Sequence, residues 1–255
     1  MKKIFFLTSV IIILGTSILS AQRRDEPIEY LPTFDERLIH FGYYVGLNSY
    51  EYKISYFDQS GHDPNLPDIL TPDKDMFVEV DNTIGFNIGF IVDLRLHKNI
   101  NLRFEPGLMS SSKTLTFIDP YTDPESGYEG LMDPERKVSS TFLHLPLLFK
   151  FSTDRYRNIR PYIIGGASYD YNFSSNEDNP DDNSSGEFRT TTHNFMAEVG
   201  IGMDFYFYFF KFSPSIRGVF ALNNELVNDA DPNSPWTAPI DQFKTRGVYL
   251  NLTFE

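Results

Sequence analysis

Residues 78–95 read VEVDNTIGFNIGFIVDLR, in which apolar and polar residues alternate. One set of alternating positions is apolar: Val80, Ile84, Phe86, Ile88, Phe90, Val92 and Leu94. The other set is polar or charged: Glu79, Asp81, Asn87, Asp93 and Arg95. A period of two residues is typical of a β-strand with one apolar face. The strand is also longer than the roughly 5–6 residues usual in soluble sheets, and it suits a tilted membrane crossing.

The same alternation recurs along the chain. In residues 102–117, Leu102, Phe104, Pro106 and Leu108 oppose Arg103, Glu105, Gly107 and Lys113. Noisier versions cover residues 39–56, 139–152, 160–174, 189–207, 210–223 and 243–254, which brings the predicted strands to eight. In the first of these segments the alternation breaks near Ser49, and we interpret the break as a β-bulge.

The predicted connections fall into two length classes. Long loops cover residues 57–78, 119–138, 175–188 and 227–242, whereas the turns at 96–100, 153–159 and 208–209 are short. Outer-membrane barrels have short periplasmic turns and long external loops, and an even number of strands places both termini in the periplasm. The sequence therefore predicts an all-β fold, an eight-stranded antiparallel transmembrane β-barrel. A soluble β-sandwich is the alternative, but it gives no reason for two classes of loop length.

The first 21 residues have the order of a secretory signal. Lys2 and Lys3 precede an apolar run at 4–19, and Ser20 and Ala21 follow it. A transmembrane helix is the alternative, but the run is shorter than the roughly 20 apolar residues that a bilayer requires. We therefore predict a signal peptide at 1–21, a periplasmic segment at 22–38, a barrel domain at 39–255 and location in the cell outer membrane.

Composition excludes several classes of function. The chain has no cysteine, which excludes disulfides, thiolate metal sites, a cysteine nucleophile and a lipidated cysteine. The net charge of −13 becomes −15 when Lys2 and Lys3 leave with the signal, which argues against a nucleic-acid partner. The long loops hold 19 acidic and three basic residues. Two interpretations of this acidity stay open: solvation of exposed loops, or carboxylates that bind divalent cations, either as a bridge to lipopolysaccharide or as a calcium site, although the spacing matches no calcium-loop motif.

If the apolar faces meet lipid, the polar faces point into the barrel lumen. The charged residues predicted there are Glu79, Asp81, Asp93, Arg95, Arg103, Glu105, Lys113, Lys150, Asp170, Glu198, Asp204, Lys211 and Arg217. Eight strands leave an interior that side chains can fill. Seven acids against six bases therefore predict a salt-bridged plug instead of a conducting channel. Six glycines would make room for the long side chains: Gly85, Gly89, Gly107, Gly166, Gly200 and Gly202.

The histidines do not form a recognisable catalytic motif. His144 has inward parity alongside Lys150, whereas His62 and His193 lie in or beside predicted external loops. No Ser-His-Asp, His-x-x-x-His or paired-carboxylate arrangement accompanies them. We therefore predict no catalytic residues, no metal site, no cofactor and no small-molecule substrate.

The segment NDADPNSPWTAPIDQF, residues 228–243, contains the single tryptophan. An exposed Trp236 would suit a protein partner, because tryptophan is favoured at the energetic centre of interfaces. The alternative is that Trp236 folds back on the barrel rim as an interfacial aromatic. The candidate partner-binding residues are Asp229, Asp231, Pro232, Asn233, Pro235 and Trp236.

Several stretches resemble known families. FLHLPLLFKFSTDRYRNIRPYIIGGASYDY, residues 142–171, resembles a strand-turn-strand unit of Bacteroidetes outer-membrane barrels. More specific are FDERLIHFGYYVGLNSYEYK at 34–53, NLRFEPGL at 101–108, KFSPSIRGVFALNNELVNDADPNSPWT at 211–237 and the terminal TRGVYLNLTFE. Together these resemble the PorT family, an outer-membrane barrel of the type IX secretion and gliding motility system.

The resemblance implies a non-enzymatic accessory or assembly component of that secretion machinery. The partners it implies are other type IX components, beside outer-membrane lipid and lipopolysaccharide. Two alternatives stay open from the sequence: a stand-alone structural or lipopolysaccharide-binding barrel, and a small outer-membrane enzyme that modifies lipid or cleaves protein.

Overall fold

The computed structural model describes residues 28–56, 78–117, 135–179, 188–229, 236–237 and 240–255. A 3-10 turn at Phe34–Glu36 precedes the first strand. The strands are β1 (Ile39–Tyr56), β2 (Val78–Asn82), β3 (Gly85–His97), β4 (Ile100–Phe104), β5 (Gly107–Phe117), β6 (Glu135–Ser152), β7 (Ile159–Asn172), β8 (His193–Tyr206), β9 (Lys211–Ala221) and β10 (Ile240–Phe254). In these ranges no helix is long and apolar enough to cross a membrane.

The strands form one closed antiparallel sheet. Its order is β1-β10-β9-β8-β7-β6-β4-β3-β5-β2, and closure follows because β1 pairs with β10 on one side and with β3 on the other. β2 and β3 share one position in the ring, and β4 and β5 share another, since both halves of each pair lie against the same neighbours. Eight positions result, so the predicted all-β, eight-stranded fold is confirmed.

Two local irregularities divide the eight positions into ten strands. Glu105 and Pro106 separate β4 from β5, because a proline has no N–H to donate to the sheet. Between β2 and β3 the register against β5 shifts by one residue, from Asn82 opposite Lys113 to Phe86 opposite Ser110. One extra residue in a strand is a β-bulge.

This bulge corrects part of the sequence prediction. A one-residue change of register turns every side chain on one side of it to the opposite face. Glu79 and Asp81 are therefore exposed on the outside of the wall, where the sequence predicted lumen positions. Val78 and Val80 point inward in their place and pack against the buried core.

The barrel has two different ends. At the first end, which we call the turn rim, residues 98–99, 153–158 and 207–210 connect neighbouring strands. At the opposite end, the loop rim, the connections include residues 57–77 and 118–134, which lie outside the described part of the chain.

The outer surface is apolar only in a band that begins at the turn rim. On β1 the outward residues of this band include Phe41, which is 71% exposed, and Leu47, which is 51% exposed. Beyond it, the outward residues Ser49, Glu51 and Lys53 are polar and exposed. The β-bulge predicted at Ser49 is wrong, because β1 pairs with β10 without a shift from Tyr43 to Ser55. The break in the alternation near Ser49 marks the edge of the apolar band on the side of the loop rim.

The inward-facing side chains change in the opposite sense, from charged behind the apolar band to apolar near the loop rim. Behind the apolar band the lumen holds charged side chains, including Arg103 and Asp93, each with 0% exposure. Towards the loop rim the interior becomes a packed apolar cluster. Its buried members are Tyr52, Leu115, Phe117, Val138, Phe188, Ile240 and Phe243.

Candidate functional site: the lumen network and the two rims

A first group of ion pairs fills the lumen next to the turn rim. Lys150 Nζ lies 2.7 Å from each carboxylate oxygen of Asp204. Lys211 Nζ lies 2.5 Å from Glu255 Oε2, and Arg103 Nη2 lies 2.6 Å from Glu255 Oε1. Arg103 also pairs with Asp93, at 2.5 Å between Nη2 and Oδ2. These side chains come from β3, β4, β6, β8 and β9, and from Glu255 directly after β10. Some pairs join neighbouring strands, as Asp93 and Arg103 do, and others join strands further apart around the ring, as Arg103 and Glu255 do.

A second group lies deeper in the lumen. Arg217 binds Glu105 through two parallel bonds, Nη1 to Oε2 at 2.6 Å and Nη2 to Oε1 at 2.9 Å. His144 lies between two carboxylates, with Nδ1 2.5 Å from Asp170 Oδ1 and Nε2 3.2 Å from Glu198 Oε1. Only an imidazolium donates from both ring nitrogens, so this position suits a charged histidine.

We call these two groups the lumen network. It consists of Asp93, Arg103, Glu105, His144, Lys150, Asp170, Glu198, Asp204, Lys211, Arg217 and Glu255. The contact between Arg103 and Glu105, at 3.5 Å, joins the two groups. Charged side chains buried at this depth are stable only when paired, and here each cation has at least one carboxylate partner. The network therefore fills the lumen behind the apolar band.

Two glycines allow aromatic rings to complete the filling. A Cβ on Gly107 would lie 2.1 Å from the Tyr44 hydroxyl oxygen, and a Cβ on Gly202 would lie 2.4 Å from the Tyr162 ring. Both tyrosines are buried in the lumen. Each glycine thus leaves space that a tyrosine ring from another strand occupies.

The interior at the loop rim also contains buried polar side chains, among them Lys113 and Glu225. Lys113 Nζ lies 3.7 Å from the centre of the Tyr52 ring and 4.9 Å from that of Tyr50, which are cation–π distances. Nearby, the Glu225 carboxylate accepts hydrogen bonds from Thr245 Oγ1 at 2.6 Å and Thr245 N at 3.3 Å. Burial raises the pKa of the Glu225 carboxyl to about 7, against the opposing effect of the Thr245 bonds and the Lys113 charge.

Trp236 covers the apolar cluster that fills the interior at the loop rim. Its ring meets Phe117 edge to face, with 5.0 Å between the ring centres, and the Arg136 guanidinium lies 3.8 Å above it. The ring is half-buried and folds back over the barrel opening. Asp229 is also buried, with Oδ1 2.9 Å from Arg189 Nη2. The remaining candidate partner residues, Asp231, Pro232, Asn233 and Pro235, lie outside the described part of the chain.

At the turn rim, residues 28–38 lie across the barrel opening as a strap. Asp35 holds the strap, since its carboxylate accepts a bond from Tyr206 Oη at 2.8 Å and lies 3.4 Å from Arg160 Nη1. Phe34 stacks on His40 with 4.4 Å between ring centres, and Lys211 Nζ lies 4.8 Å from the Phe34 ring. The strap therefore covers the lumen network at the turn rim.

The start of the strap is bound to the turn between β6 and β7. The Asn158 side chain accepts a bond from Tyr30 N at 2.9 Å and donates to Ile28 O at 2.8 Å. Arg155 donates to Leu31 O at 3.1 Å and also to Tyr30 O. The predicted periplasmic segment 22–38 thus has, in its described residues, a defined position beneath the barrel.

The structure sorts the predicted lumen residues into two groups. Glu79 and Asp81 face outward because of the bulge, and Arg95 is half-buried close to the turn rim. The other ten predicted residues are buried inside the barrel. Glu255 was missed, although the alternation in TRGVYLNLTFE extends to it. The paired role of His144 was also missed, because parity shows direction and not partners.

His193 and His62 are the other two histidines that the sequence pattern singled out. His193 is exposed, and its Nδ1 lies 2.6 Å from the Tyr169 hydroxyl on the outer wall. His62 lies outside the described residues. In the part of the chain that the structure describes, no three His, Cys, Asp or Glu side chains are placed to hold a metal ion.

With the fold and lumen defined, the chain can be compared with known proteins. Residues 20–227 match the sequence model of the outer membrane protein beta-barrel domain. The chain belongs to this family. It is therefore an outer-membrane protein, as the signal, band and closed sheet predict. Searches of curated protein sequences gave no significant match.

Three solved outer-membrane proteins show a distant structural similarity. OprG from Pseudomonas aeruginosa has 14% identity and a TM-score of 0.42, over 85% of this chain and 92% of its own. Ail, the attachment invasion locus protein of Yersinia pestis, has 11% identity and a TM-score of 0.35, over 84% and 96%. AlkL, determined by solid-state NMR in lipid bilayers, has 11% identity and a TM-score of 0.38, over 92% and 94%.

Proposed function

We propose that this barrel is a non-enzymatic accessory or assembly component of the type IX protein secretion and gliding motility machinery. The sequence similarity to PorT supports the assignment to that machinery. The observation that carries the mechanical part of the proposal is the bidentate pair between Arg217 and Glu105, which lies across the lumen with both side chains 1% exposed. A lumen filled at this level does not conduct a protein, so the barrel acts through its surfaces.

The two rims are the surfaces that remain for partner proteins. At the turn rim, the strap and the turn at 153–158 form one continuous periplasmic surface, joined by Asn158 and Arg155. At the loop rim, Asp229 and Trp236 are held against the barrel on either side of Asp231, Pro232, Asn233 and Pro235. We propose these four intervening residues as the partner contact, with Trp236 as the anchor that holds them to the barrel.

Deletion of the gene tests the proposed role. We expect loss of secretion of several unrelated proteins that carry C-terminal type IX signals, and loss of gliding, with both restored by the intact gene. A leaky envelope with normal secretion would instead identify a structural barrel. An unmodified lipid or an uncleaved substrate, again with normal secretion, would identify an enzyme.

Two complementing variants separate lumen from rim. Glu105→Gln with Arg217→Gln removes the charge pair as a unit, and we expect secretion to persist at equal barrel abundance because no cargo passes the lumen. Replacement of Asp231, Pro232, Asn233 and Pro235 by Gly and Ser should lower secretion at equal abundance, whereas normal secretion would remove this loop as a contact. Trp236→Ala is less informative, since it also uncovers the apolar cluster.

A further inference from the structure

The first residues of the strap are bound to the turn rim through their main chain. The Asn158 side chain accepts a bond from Tyr30 N at 2.9 Å and donates one to Ile28 O at 2.8 Å. Arg155 donates to Leu31 O at 3.1 Å and also to Tyr30 O. The Ile28 side chain is 71% exposed and contributes little to this binding. Bonds to main-chain groups recognise the course of a peptide and not its sequence.

A carboxylate completes the recognition of the strap. Tyr206 Oη lies 2.8 Å and 2.9 Å from the two carboxylate oxygens of Asp35, and Arg160 Nη1 lies 3.4 Å from one of them. The Arg155 guanidinium lies 3.7 Å from the centre of the Tyr206 ring, so the groups that bind the main chain and the carboxylate are in contact. We call Arg155, Asn158, Arg160 and Tyr206 the peptide cradle.

The peptide cradle is held in place by the barrel itself. Arg155 Nε donates to Arg157 O at 2.7 Å. Arg160 donates to Thr153 O at 2.8 Å and to Lys98 O at 2.6 Å. These bonds do not involve the strap. The two arginines therefore keep their positions when the strap leaves.

The strap fits the peptide cradle with strain at Leu31. The φ angle of Leu31 is 51°, in the left-handed region that favours glycine, and a residue before a proline such as Pro32 prefers an extended conformation. The turn is needed because successive carbonyl groups of an extended chain point in opposite directions, whereas Arg155 binds those of both Tyr30 and Leu31. The strap thus occupies the peptide cradle at a cost in free energy that another sequence avoids.

We propose that the peptide cradle is a docking site for a segment of a periplasmic protein, and that the strap is its resident, displaceable ligand. The fitting segment is extended over three residues, turns at a glycine or asparagine in the place of Leu31, and carries a carboxylate four residues further on. Such a segment makes the bonds of the strap without its strain. The inference rests on the proposed function, which supplies periplasmic partner proteins, and it names what such a partner presents.

The mobility of the strap reports its displacement. The chain has no cysteine, so Glu29→Cys, at an exposed position of the strap, accepts a single spin label. The probes are synthetic peptides of residues 28–37, unchanged or with one substitution, added to the labelled barrel in phosphatidylcholine nanodiscs. We expect the label to be immobilised without peptide and to become mobile at millimolar concentrations of the unchanged peptide, because the resident strap competes at a high effective concentration.

Two peptide variants separate the parts of the recognition. The Leu31→Gly peptide should displace the strap at about 3- to 10-fold lower concentration, since the relief of strain outweighs the flexibility of glycine. The Asp35→Asn peptide should need about 3- to 10-fold more, because it loses charge-assisted bonds to Tyr206 and Arg160. In a control barrel with Asp154→Asn, an exposed change on the same rim, all three concentrations should stay within about twofold.

A label that stays immobile with the Leu31→Gly peptide at millimolar concentration would show that the strap is a fixed part of the fold, and the proposal would be wrong. It would also be wrong if the label is mobile without peptide, or if the Asp35→Asn peptide or a peptide of scrambled order displaces the strap equally well. If the label at position 29 itself releases the strap, Glu36→Cys provides a second exposed position.

The titration and the deletion strain give separate answers. The titration uses only the purified barrel, so a negative result leaves the role in secretion unaffected. Normal secretion in the deletion strain would refute that role, whereas binding of the peptides to the peptide cradle would still stand as a measured property of the barrel.

Discussion

The two halves of this barrel are built in opposite ways. Next to the turn rim, apolar side chains cover the outside and charged side chains fill the inside, as Phe41 and Arg103 illustrate. Next to the loop rim, polar residues such as Lys53 cover the outside and Leu115 fills the inside. The first half is stabilised by ion pairs behind a lipid-facing wall, and the second by an apolar core behind a water-facing wall.

The difference follows from the surroundings of each half. A wall in the bilayer must be apolar outside, so the hydrophobic effect cannot distinguish its inside from its outside, and specificity comes from polar pairing in the lumen. Above the bilayer, water restores the usual rule that apolar groups are buried. One continuous strand such as β1 obeys both rules in turn, without a change of register.

Breaking the bidentate pair should have the largest effect. Arg217→Met removes two hydrogen bonds from Glu105 and leaves this buried carboxylate with only the 3.5 Å contact to Arg103. We therefore expect a loss of about 3–5 kcal/mol in the free energy of unfolding. Urea unfolding of the barrel in lipid vesicles, followed by tryptophan fluorescence, measures it.

The double variant is the control. Glu105→Gln with Arg217→Met removes both charges, and most of the lost stability should return. Additive losses in the double variant would contradict a network stabilised by pairing. They would point to packing of the two long side chains as the dominant contribution.

Loss of an apolar side chain should lower the free energy of unfolding by different amounts in the two halves of the barrel. Leu115 is fully buried near the loop rim, whereas Leu147 is 51% exposed on the lipid-facing wall. Leu115→Ala should lower the free energy of unfolding by about 2–4 kcal/mol, through lost burial and a residual cavity. The same change at Leu147 should lower it by less than about 1 kcal/mol, because lipid fills the space. Equal losses would mean that the two walls are not differently surrounded.

The strand positions were predictable because period-two alternation is strong inside the apolar band. Residues 39–56 were predicted and are β1, and on β8, inside the predicted strand 189–207, alternate residues from Phe195 to Phe205 are exposed or half-exposed. The prediction was wrong for the part of the barrel beyond the apolar band. It placed Val80 outside and Glu79 inside because it assumed that apolar residues always face lipid, but above the band they face the core.

The sequence does contain a signal for the change from a charged to an apolar interior. Arg103 and Glu105 share inward parity with Met109, Leu115 and Phe117, so one face turns from charged to apolar along its length. The ion-pair partners could not be predicted. Arg217 and Glu105 are 112 positions apart, and their contact depends on the tilt and stagger of eight strands.

The buried Glu225 carboxyl in the loop-rim interior should make the stability of the barrel depend on pH. Burial raises the pKa of Glu225 to about 7, so the folded state holds a proton that the unfolded carboxyl releases above its usual pKa of about 4.5. The free energy of unfolding should therefore fall by about 3 kcal/mol as pH rises from about 4.5 to about 7. The charged groups that act on Glu225 are Lys113 and, more weakly, Asp170.

The isosteric variant checks the assignment. Glu225→Gln keeps a hydrogen-bond acceptor for Thr245 and removes the titrating proton. Its stability should no longer change between pH 5 and 7.5. A slope identical to that of the parent would assign the pH dependence to another group.

The smallest expected effect concerns the strap at the turn rim. Asp35→Asn weakens the contacts with Tyr206 and Arg160, and because Asp35 is partly exposed the global loss should be below about 1 kcal/mol. The local effect should be larger, since residues 28–38 contain no β-strand and are held to the barrel mainly by side-chain contacts. Limited proteolysis should release this segment faster in Asp35→Asn, while Asp154→Asn, an exposed change on the same rim, should leave the rate unchanged. Equal rates in parent and Asp35→Asn would show that the contacts of Phe34, Asn158 and Arg155 hold the strap, and that the lumen network is covered without the Asp35 contacts.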